Sequence, residues 1–359
     1  MTIAKEKKNL LGAGALIGII ACLLVIWGNP KNMGFCIACF IRDIAGALKL
    51  HQSGAVQYLR PEILGLVLGS FIISLFKGEF SPRGGSSPLL RFCIGFLVMV
   101  GALVFLGCPL RMVLRLSGGD LNAIVGLLGF VAGVFGGCLL LNRGFSLGRS
   151  YRQSKIEALG MPTIQIVLLV MLLAFPALLA FSKAGAGPGA LHAPLILSLL
   201  AGLVVGALAQ RTRLCMAGGI RDMFLFKDST LIMGPLAIFF FALIGNLITG
   251  DFHFGFTGQS VAHTAHLWNF LGMTLVGLGS VMLGGCPLRQ LILAGEGNTD
   301  SAMATLGMLL GGALAHNLGL ASSGKGPTTN GKVAVILGFV FLLGIAWIQI
   351  AKQKREDKQ

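Results

Sequence analysis

Ten apolar runs, several of them longer than about 18 residues with almost no charge, decide what this chain can fold into. They lie at about residues 10–28, 62–77, 90–106, 120–141, 162–182, 194–210, 230–250, 267–284, 302–320 and 332–350. In a bilayer only helices and closed barrels satisfy their own backbone polar groups, and runs of this length read as spanning helices. The chain is therefore expected to be an all-α polytopic membrane protein with about nine to ten transmembrane helices. Composition agrees: 55% of residues are hydrophobic and 11% charged, against about a quarter charged in soluble domains. The segment Met1–Lys8 followed by Leu10–Trp27 has the outline of a signal peptide, but no small-x-small cleavage site follows, so it reads as a retained first helix.

The formal net charge of +15 does not point to nucleic acid, because it concentrates in short loops and the two tails. Lys5, Lys7 and Lys8, then Lys77, Arg83 and Arg91, then Arg143, Arg149, Arg152 and Lys155, and finally Lys352, Lys354, Arg355 and Lys358 fall on one side. The alternate loops at 183–193, 251–266 and 321–331 carry only Lys183 and Lys325. The positive-inside rule then places the protein in a cell (inner) membrane as a multi-pass protein with both termini cytoplasmic. Pairs such as Gly14/Gly18, Gly65/Gly69, Gly129/Gly133, Gly202/Gly206 and Gly307/Gly311 have the small-xxx-small spacing of close helix contacts.

Four stretches, 34–50, 107–120, 211–227 and 285–300, bring charge next to apolar sequence and are too short to cross alone. They are expected to be re-entrant, each a turn at membrane depth followed by a short half-helix, which is tolerated only when buried in protein or lining a cavity. They also expose an internal repeat. Gly107-Cys108-Pro109-Leu110-Arg111 returns as Gly285-Cys286-Pro287-Leu288-Arg289, and Cys36-Ile-Ala-Cys39-Phe-Ile-Arg42-Asp43 returns as Cys215-Met-Ala-Gly-Gly-Ile-Arg221-Asp222. Asp120 and Asp300 follow the pentapeptides at similar distances. Five spans per half is an odd number, so the second half enters the membrane upside down, the inverted-repeat plan by which many transporters build a site near the midplane. Residues 1–160 are assigned to the first inverted repeat, 161–193 to a connecting helix and loop, 194–350 to the second repeat and 351–359 to a basic cytoplasmic tail.

The chemistry follows from the repeated motifs. Pro109 and Pro287 suit the first turn of a helix, which puts Cys108 and Cys286 beside free amides and a positive dipole end, a place that favours anions. Arg111 and Arg289 add a fixed cation, with Gly107 and Gly285 at the turn. Cys36 and Cys215 are the second pair of pathway candidates. Arg42–Asp43 and Arg221–Asp222 read either as functional intramembrane charges or as structural ion pairs, the structural role being favoured. Arg211 and Arg213 stand ready to draw anions from the cytoplasmic side. Cys36 and Cys39 form a Cys-x-x-Cys, an alternative redox centre, though position 218 in the other half is glycine. Cys22, Cys93 and Cys138 read as small hydrophobes inside apolar runs. His253, His263 and His266 lie in a loop with Asp251 the one nearby carboxylate and read either as metal ligands or as ordinary interfacial loop residues, and His316 on a span reads as a polar helix contact. No phosphate loop, dinucleotide fingerprint or zinc-protease helix is present, so no enzyme activity, cofactor or metal is expected.

The paired Cys…Ala…Arg-Asp segments, the Gly-Cys-Pro-Leu-Arg segments and the duplicated helical halves together resemble the YeeE/YedE family of sulfur-compound transporters. The resemblance covers about residues 10–350, and the Gly-Cys-Pro-Leu-Arg form is most similar to the YedE-related selenium metabolism membrane proteins. It implies import of a small inorganic anion passed between cysteine thiols on a narrow central path, here Cys36, Cys108, Cys215 and Cys286. A selenium compound is the favoured substrate on that resemblance, with thiosulfate the alternative. It also implies a small cytoplasmic sulfur-carrier-like protein as a partner.

Overall fold

A computed structural model describes residues 3–356; Lys358 and the rest of the basic tail beyond that point lie outside the described residues. The chain forms fourteen α-helices among the described residues. They are α1 (Ile3–Ile26), α2 (Ile37–Ala47), α3 (Pro61–Phe76), α4 (Pro88–Phe105), α5 (Pro109–Ser117), α6 (Asn122–Asn142), α7 (Lys155–Ala174), α8 (Leu195–Thr212), α9 (Met216–Phe226), α10 (Met233–Thr249), α11 (His266–Leu283), α12 (Pro287–Gly295), α13 (Thr299–Asn317) and α14 (Thr329–Glu356). A two-residue ribbon, β1 (Arg83–Gly84) with β2 (Tyr151–Arg152), ties two loops together. The protein is an all-α polytopic membrane protein.

All ten expected spans are helices, and all four expected half-helices are the short α2, α5, α9 and α12. Among the described residues seven stretches are long and apolar enough to cross a membrane, and three of these are broken: Pro88–Ser117 at α4/α5, Leu195–Phe226 at α8/α9 and His266–Gly295 at α11/α12. α3 and α10 are shorter apolar helices; at 1.5 Å per residue the 16-residue α3 rises only about 24 Å, short of the roughly 30 Å hydrocarbon core. The breaks have local causes. Leu106 and Gly284 cap α4 and α11 in the left-handed conformation, which ends each helix and turns the chain into Cys-Pro. Pro109 and Pro287 then start α5 and α12, where a missing amide hydrogen costs nothing.

Packing carries the repeat into three dimensions. α1 lies on α10 and α3 on α8; α4 lies on α13 and α6 on α11. Each of these contacts has its mirror under the exchange of α1–α6 with α8–α13. Gly14 and Gly18 of α1 face Gly234 and Ile238 of α10 in the same order, and Gly65 and Gly69 of α3 face Leu199 and Leu203 of α8 likewise. Helices of opposite halves therefore run parallel in pairs, and equivalent helices of the two halves run antiparallel: the repeats are inverted. The outermost helices break the symmetry, α7 packing on α3 and α14 on α4 and α11.

The small-xxx-small pairs all sit at these interfaces between halves. A Cβ on Gly18 would lie 2.9 Å from the Ile238 carbonyl, closer than backbone allows. Gly18→Leu is expected to lower stability by at least about 1–3 kcal/mol through overpacking, read as a drop in the melting temperature of detergent-solubilised protein. Gly12→Leu, where nothing lies within 4 Å of the new Cβ, is expected to stay within about 0.5 kcal/mol of wild type.

Two ends of the molecule can be told apart. At the basic end the loop after α3 meets the start of α13, with Arg83 N–H bonded to the Gly297 carbonyl. At the opposite end the loop after α10 meets the start of α6, with Leu121 N–H bonded to the Gly255 carbonyl. The stretch that follows α5 consequently stands at the opposite end, and the stretch that follows α12 at the basic end.

Candidate anion path

The four motif cysteines gather in two pairs, one per half. Cys36 is the N-cap of α2 and its sulfur accepts from the Cys39 amide at 3.3 Å. Cys108 is the N-cap of α5, and its sulfur accepts from the Ile37 amide at 3.2 Å. The Ile37 amide that reaches Cys108 follows directly on Cys36, so the two thiols are neighbours. In the second half Cys215 caps α9 and accepts from the Gly218 amide at 3.2 Å. The Cys286 amide donates to the Cys215 sulfur at 3.4 Å, so the two thiols are again neighbours.

Two helix N-termini therefore converge on each thiol pair. Free first-turn amides and aligned peptide dipoles make such a point favourable to an anion, and a thiol adds a weak, polarizable donor. All four cysteines are buried, as is Cys39, whose amide donates to the Cys36 sulfur. The cluster of the first half thus holds three thiols and that of the second half two. α2 also touches α12, and α5 touches α9, so half-helices of the two halves meet one another.

The motif arginines, alike in sequence, sit in unlike places. Arg111 is fully buried and donates to the carbonyls of Leu106, Asn32, Ser260 and Val261. Leu106 thereby keeps a left-handed backbone (φ 64°), which a non-glycine residue adopts at a cost of roughly 1–2 kcal/mol. Arg289 instead pairs with Glu296 at 3.1 Å and lines a vestibule of about 620 Å³ at the basic end. Arg83, Arg211 and Arg213 line the same vestibule, with Glu6, Glu79 and Glu296. Glu79 accepts from the Gln210 amide and from Arg211; those two bonds hold its carboxyl below its ordinary range, so it remains a counter-ion at mildly acidic pH.

Arg42 is bonded to Asp43, and Arg60 grips the other carboxylate oxygen at 2.8 Å while donating to the Pro188 and Leu191 carbonyls. This buried triad ties α2 to α3 and to the loop before α8. Arg221–Asp222 pairs in the same way but is half exposed and has no third member. Among the described residues no group of three metal-ligating side chains occurs.

Reasoning from sequence missed Arg60, Arg115, Gln290 and Glu62. Arg115 bonds Asp120 at 2.7 Å and stacks on Phe105 with 4.2 Å to the ring centroid. Gln290 is buried and ties the Leu283 and Gly285 carbonyls, holding the turn before Cys286. Ionisable residues inside apolar sequence are the signal that identifies the charged three.

Comparison with known proteins adds an independent line. A family model described as "Sulphur transport" matches residues 211–355. The chain is 34% identical over 108 residues to the thiosulfate transporter TsuA of Spirochaeta thermophila, a match covering 30% of this chain and 32% of that protein. It is 31% identical over 110 residues to the thiosulfate transporter TsuA of Escherichia coli, covering 30% and 31% respectively. The matched stretch thus spans about a third of the length of these curated relatives. With its inverted helical halves and paired thiols, this multi-pass membrane protein is similar, through residues 211–355, to the sulphur transport family.

Proposed function

We propose that the protein carries a small sulfur-containing anion across the membrane, with thiosulfate the first candidate, by way of Cys36, Cys108, Cys215 and Cys286. The observation that carries this reading is the pair of thiol clusters, each at the meeting point of two half-helix N-termini and related by the inverted repeat. Weak sulfur donors suit a path, because conduction needs sites that bind an ion and also release it. Gly107 and Gly285 shape the turns, Arg111 and Arg42 fix the outer half-helices, and Arg221 does so on the inner side. Arg213 and Arg289 line the inner vestibule and receive the anion there. The selenium compound expected from the family resemblance takes second place, since both relatives reported above are named for thiosulfate.

The basic end faces the cytoplasm of an inner-membrane protein in this reading, and the vestibule with its arginines is where a small sulfur-carrier-like protein would collect the substrate. Import then runs against an inside-negative potential at about 2.3 kcal/mol per charge per 100 mV, or about 4.6 kcal/mol for a dianion. The purified full-length chain in liposomes should take up radiolabelled thiosulfate, with selenosulfate as a competitor. Uptake no faster than in empty liposomes would end the transport reading. A membrane thiol-redox role remains the second reading because Cys39 stands one turn after Cys36, its amide donating to the Cys36 sulfur at 3.3 Å. Thiol trapping separates the two: a Cys36–Cys39 disulfide that cycles during turnover favours redox chemistry.

A further inference from the structure

One buried acid differs from every other among the described residues. Among the described residues Asp43, Asp120, Glu296 and Asp300 are also buried acids, and each has an arginine partner, at 2.7, 2.7, 3.1 and 3.5 Å. Glu62, at 0% exposure, forms no ion pair. Its Oε1 accepts from the Asn29 side-chain amide at 2.8 Å and from the Ser198 hydroxyl at 3.2 Å. Its Oε2 has no hydrogen-bond partner. A carboxylate charge buried without a cation is costly, and an ionisable residue held inside a membrane protein in that condition marks a functional site.

The surroundings supply no hidden counter-ion. Tyr58 and Arg60 stand on the same approach to α3, and Arg60 is committed to Asp43 and two carbonyls. α2 offers Arg42 and Asp43, which pair with each other. The segment before α8 offers the exposed His192, stacked on Tyr58 at 4.1 Å between ring centroids; α8 offers Ser198 beside Glu62, while its Arg211, in the last turn, is paired with Glu79 at the basic end. Lys31 in the segment after α1 is paired with Asp251. The charged residues of α7 and α12 (Lys155, Glu157 and Arg289) stand at the basic end.

Glu62 is also wired to the thiol path. The Asn29 amide that donates to Glu62 donates as well to the Gly34 carbonyl at 3.2 Å, two residues before Cys36. The Asn29 oxygen takes the Ala193 amide at 2.9 Å. One side chain thus couples the acid, the turn that presents Cys36, and the loop leading into α8.

We infer that Glu62 is a proton-binding site whose protonation is coupled to passage of the anion past Cys36. This rests on the transport reading above and deepens it by naming a coupling ion. A carboxylate holds the Asn29 and Ser198 donors by charge-assisted bonds, which are roughly twice as strong as neutral ones. Taking up one proton on Oε2 removes that charge, slackens the hold on Asn29, and frees the turn at Gly34 that sets the Cys36 cap. Release of the same proton restores it. A proton travelling with a dianion also offsets part of the opposing membrane potential.

The test uses the full-length protein in liposomes loaded with a pH-sensitive dye and supplied with radiolabelled thiosulfate. Wild type should acidify the lumen as thiosulfate enters, and an acid-outside gradient of one pH unit should raise accumulation about tenfold for a single coupled proton. Glu62→Gln should keep downhill thiosulfate exchange while losing both the gradient response and the dye signal, and Glu62→Asp should retain both. Thiosulfate entry in wild type with no lumenal acidification overturns the inference without requiring any variant. So does a Glu62→Gln protein that accumulates thiosulfate with the wild-type gradient response. Loss of downhill exchange in a Glu62→Gln protein of wild-type melting temperature also overturns it, assigning Glu62 to positioning Asn29 alone. Absence of any thiosulfate flux in wild type refutes the transport reading itself and is distinct from all of these.

Discussion

Cys286→Ala should reduce the initial rate of thiosulfate uptake roughly tenfold, and Cys108→Ala should do the same. Each substitution removes one thiol donor from a dry site, and a hydrogen bond to a charged partner is worth roughly 1.5–3 kcal/mol, where 1.4 kcal/mol is tenfold. It also strips Cys215 or Cys36 of its neighbouring thiol. The double variant should lose more than either single one. Cys93→Ala is the control, because Cys93 faces an apolar groove between α4 and α14 away from the half-helices. Cys→Ser at either position should fall between wild type and alanine, since a hydroxyl donates but is less polarizable than sulfur. Wild-type rates in Cys108→Ala and Cys286→Ala would remove the thiols from the path.

Asp43→Ala should cost about 3–5 kcal/mol of stability, the range for breaking a buried ion pair. It leaves two guanidinium groups, Arg42 and Arg60, buried at 3% and 0% exposure without their carboxylate. The matching substitution Asp222→Ala should cost no more than about 1 kcal/mol, because Arg221 and Asp222 keep 28% and 14% side-chain exposure. Thermal unfolding of the two variants in one detergent reads the difference directly. Equal melting temperatures would show that the Arg60 link does not anchor α2. The comparison is informative because the two motifs carry the same Ile-Arg-Asp and differ only in what surrounds them.

Much of this protein is legible one residue after another. The ten apolar helices among the described residues follow from runs of apolar sequence, and the four half-helices from the interruptions by Gly, Cys, Pro and charge. The inverted plan follows from motif identity and an odd number of spans, and the glycine pairs Gly14/Gly18 and Gly65/Gly69 foretell where the halves meet. These are local or periodic properties, so the order of residues alone carries them. The crossing count is blunter: α3 and α10 are too short to span by themselves, and α4 and α5 form one broken stretch, because depth in the bilayer depends on what covers a helix.

The order of residues determined which side chains carry the chemistry and that they occur twice, since a thiol before a proline-started helix is a local pattern. Only the tertiary structure decided what each became. Arg111 and Arg289 share a pentapeptide, yet one is sealed by the carbonyls of Asn32, Leu106, Ser260 and Val261, while the other opens onto a vestibule beside Glu296. Cys108 meets Ile37 from 71 positions away, and Arg60 finds its carbonyl acceptors 128 and 131 positions off. Glu62 is distinguished by a cation that is not there. A charge's fate in a membrane protein is set by which partners enclose it and how completely water is excluded, and both depend on segments far apart in the chain.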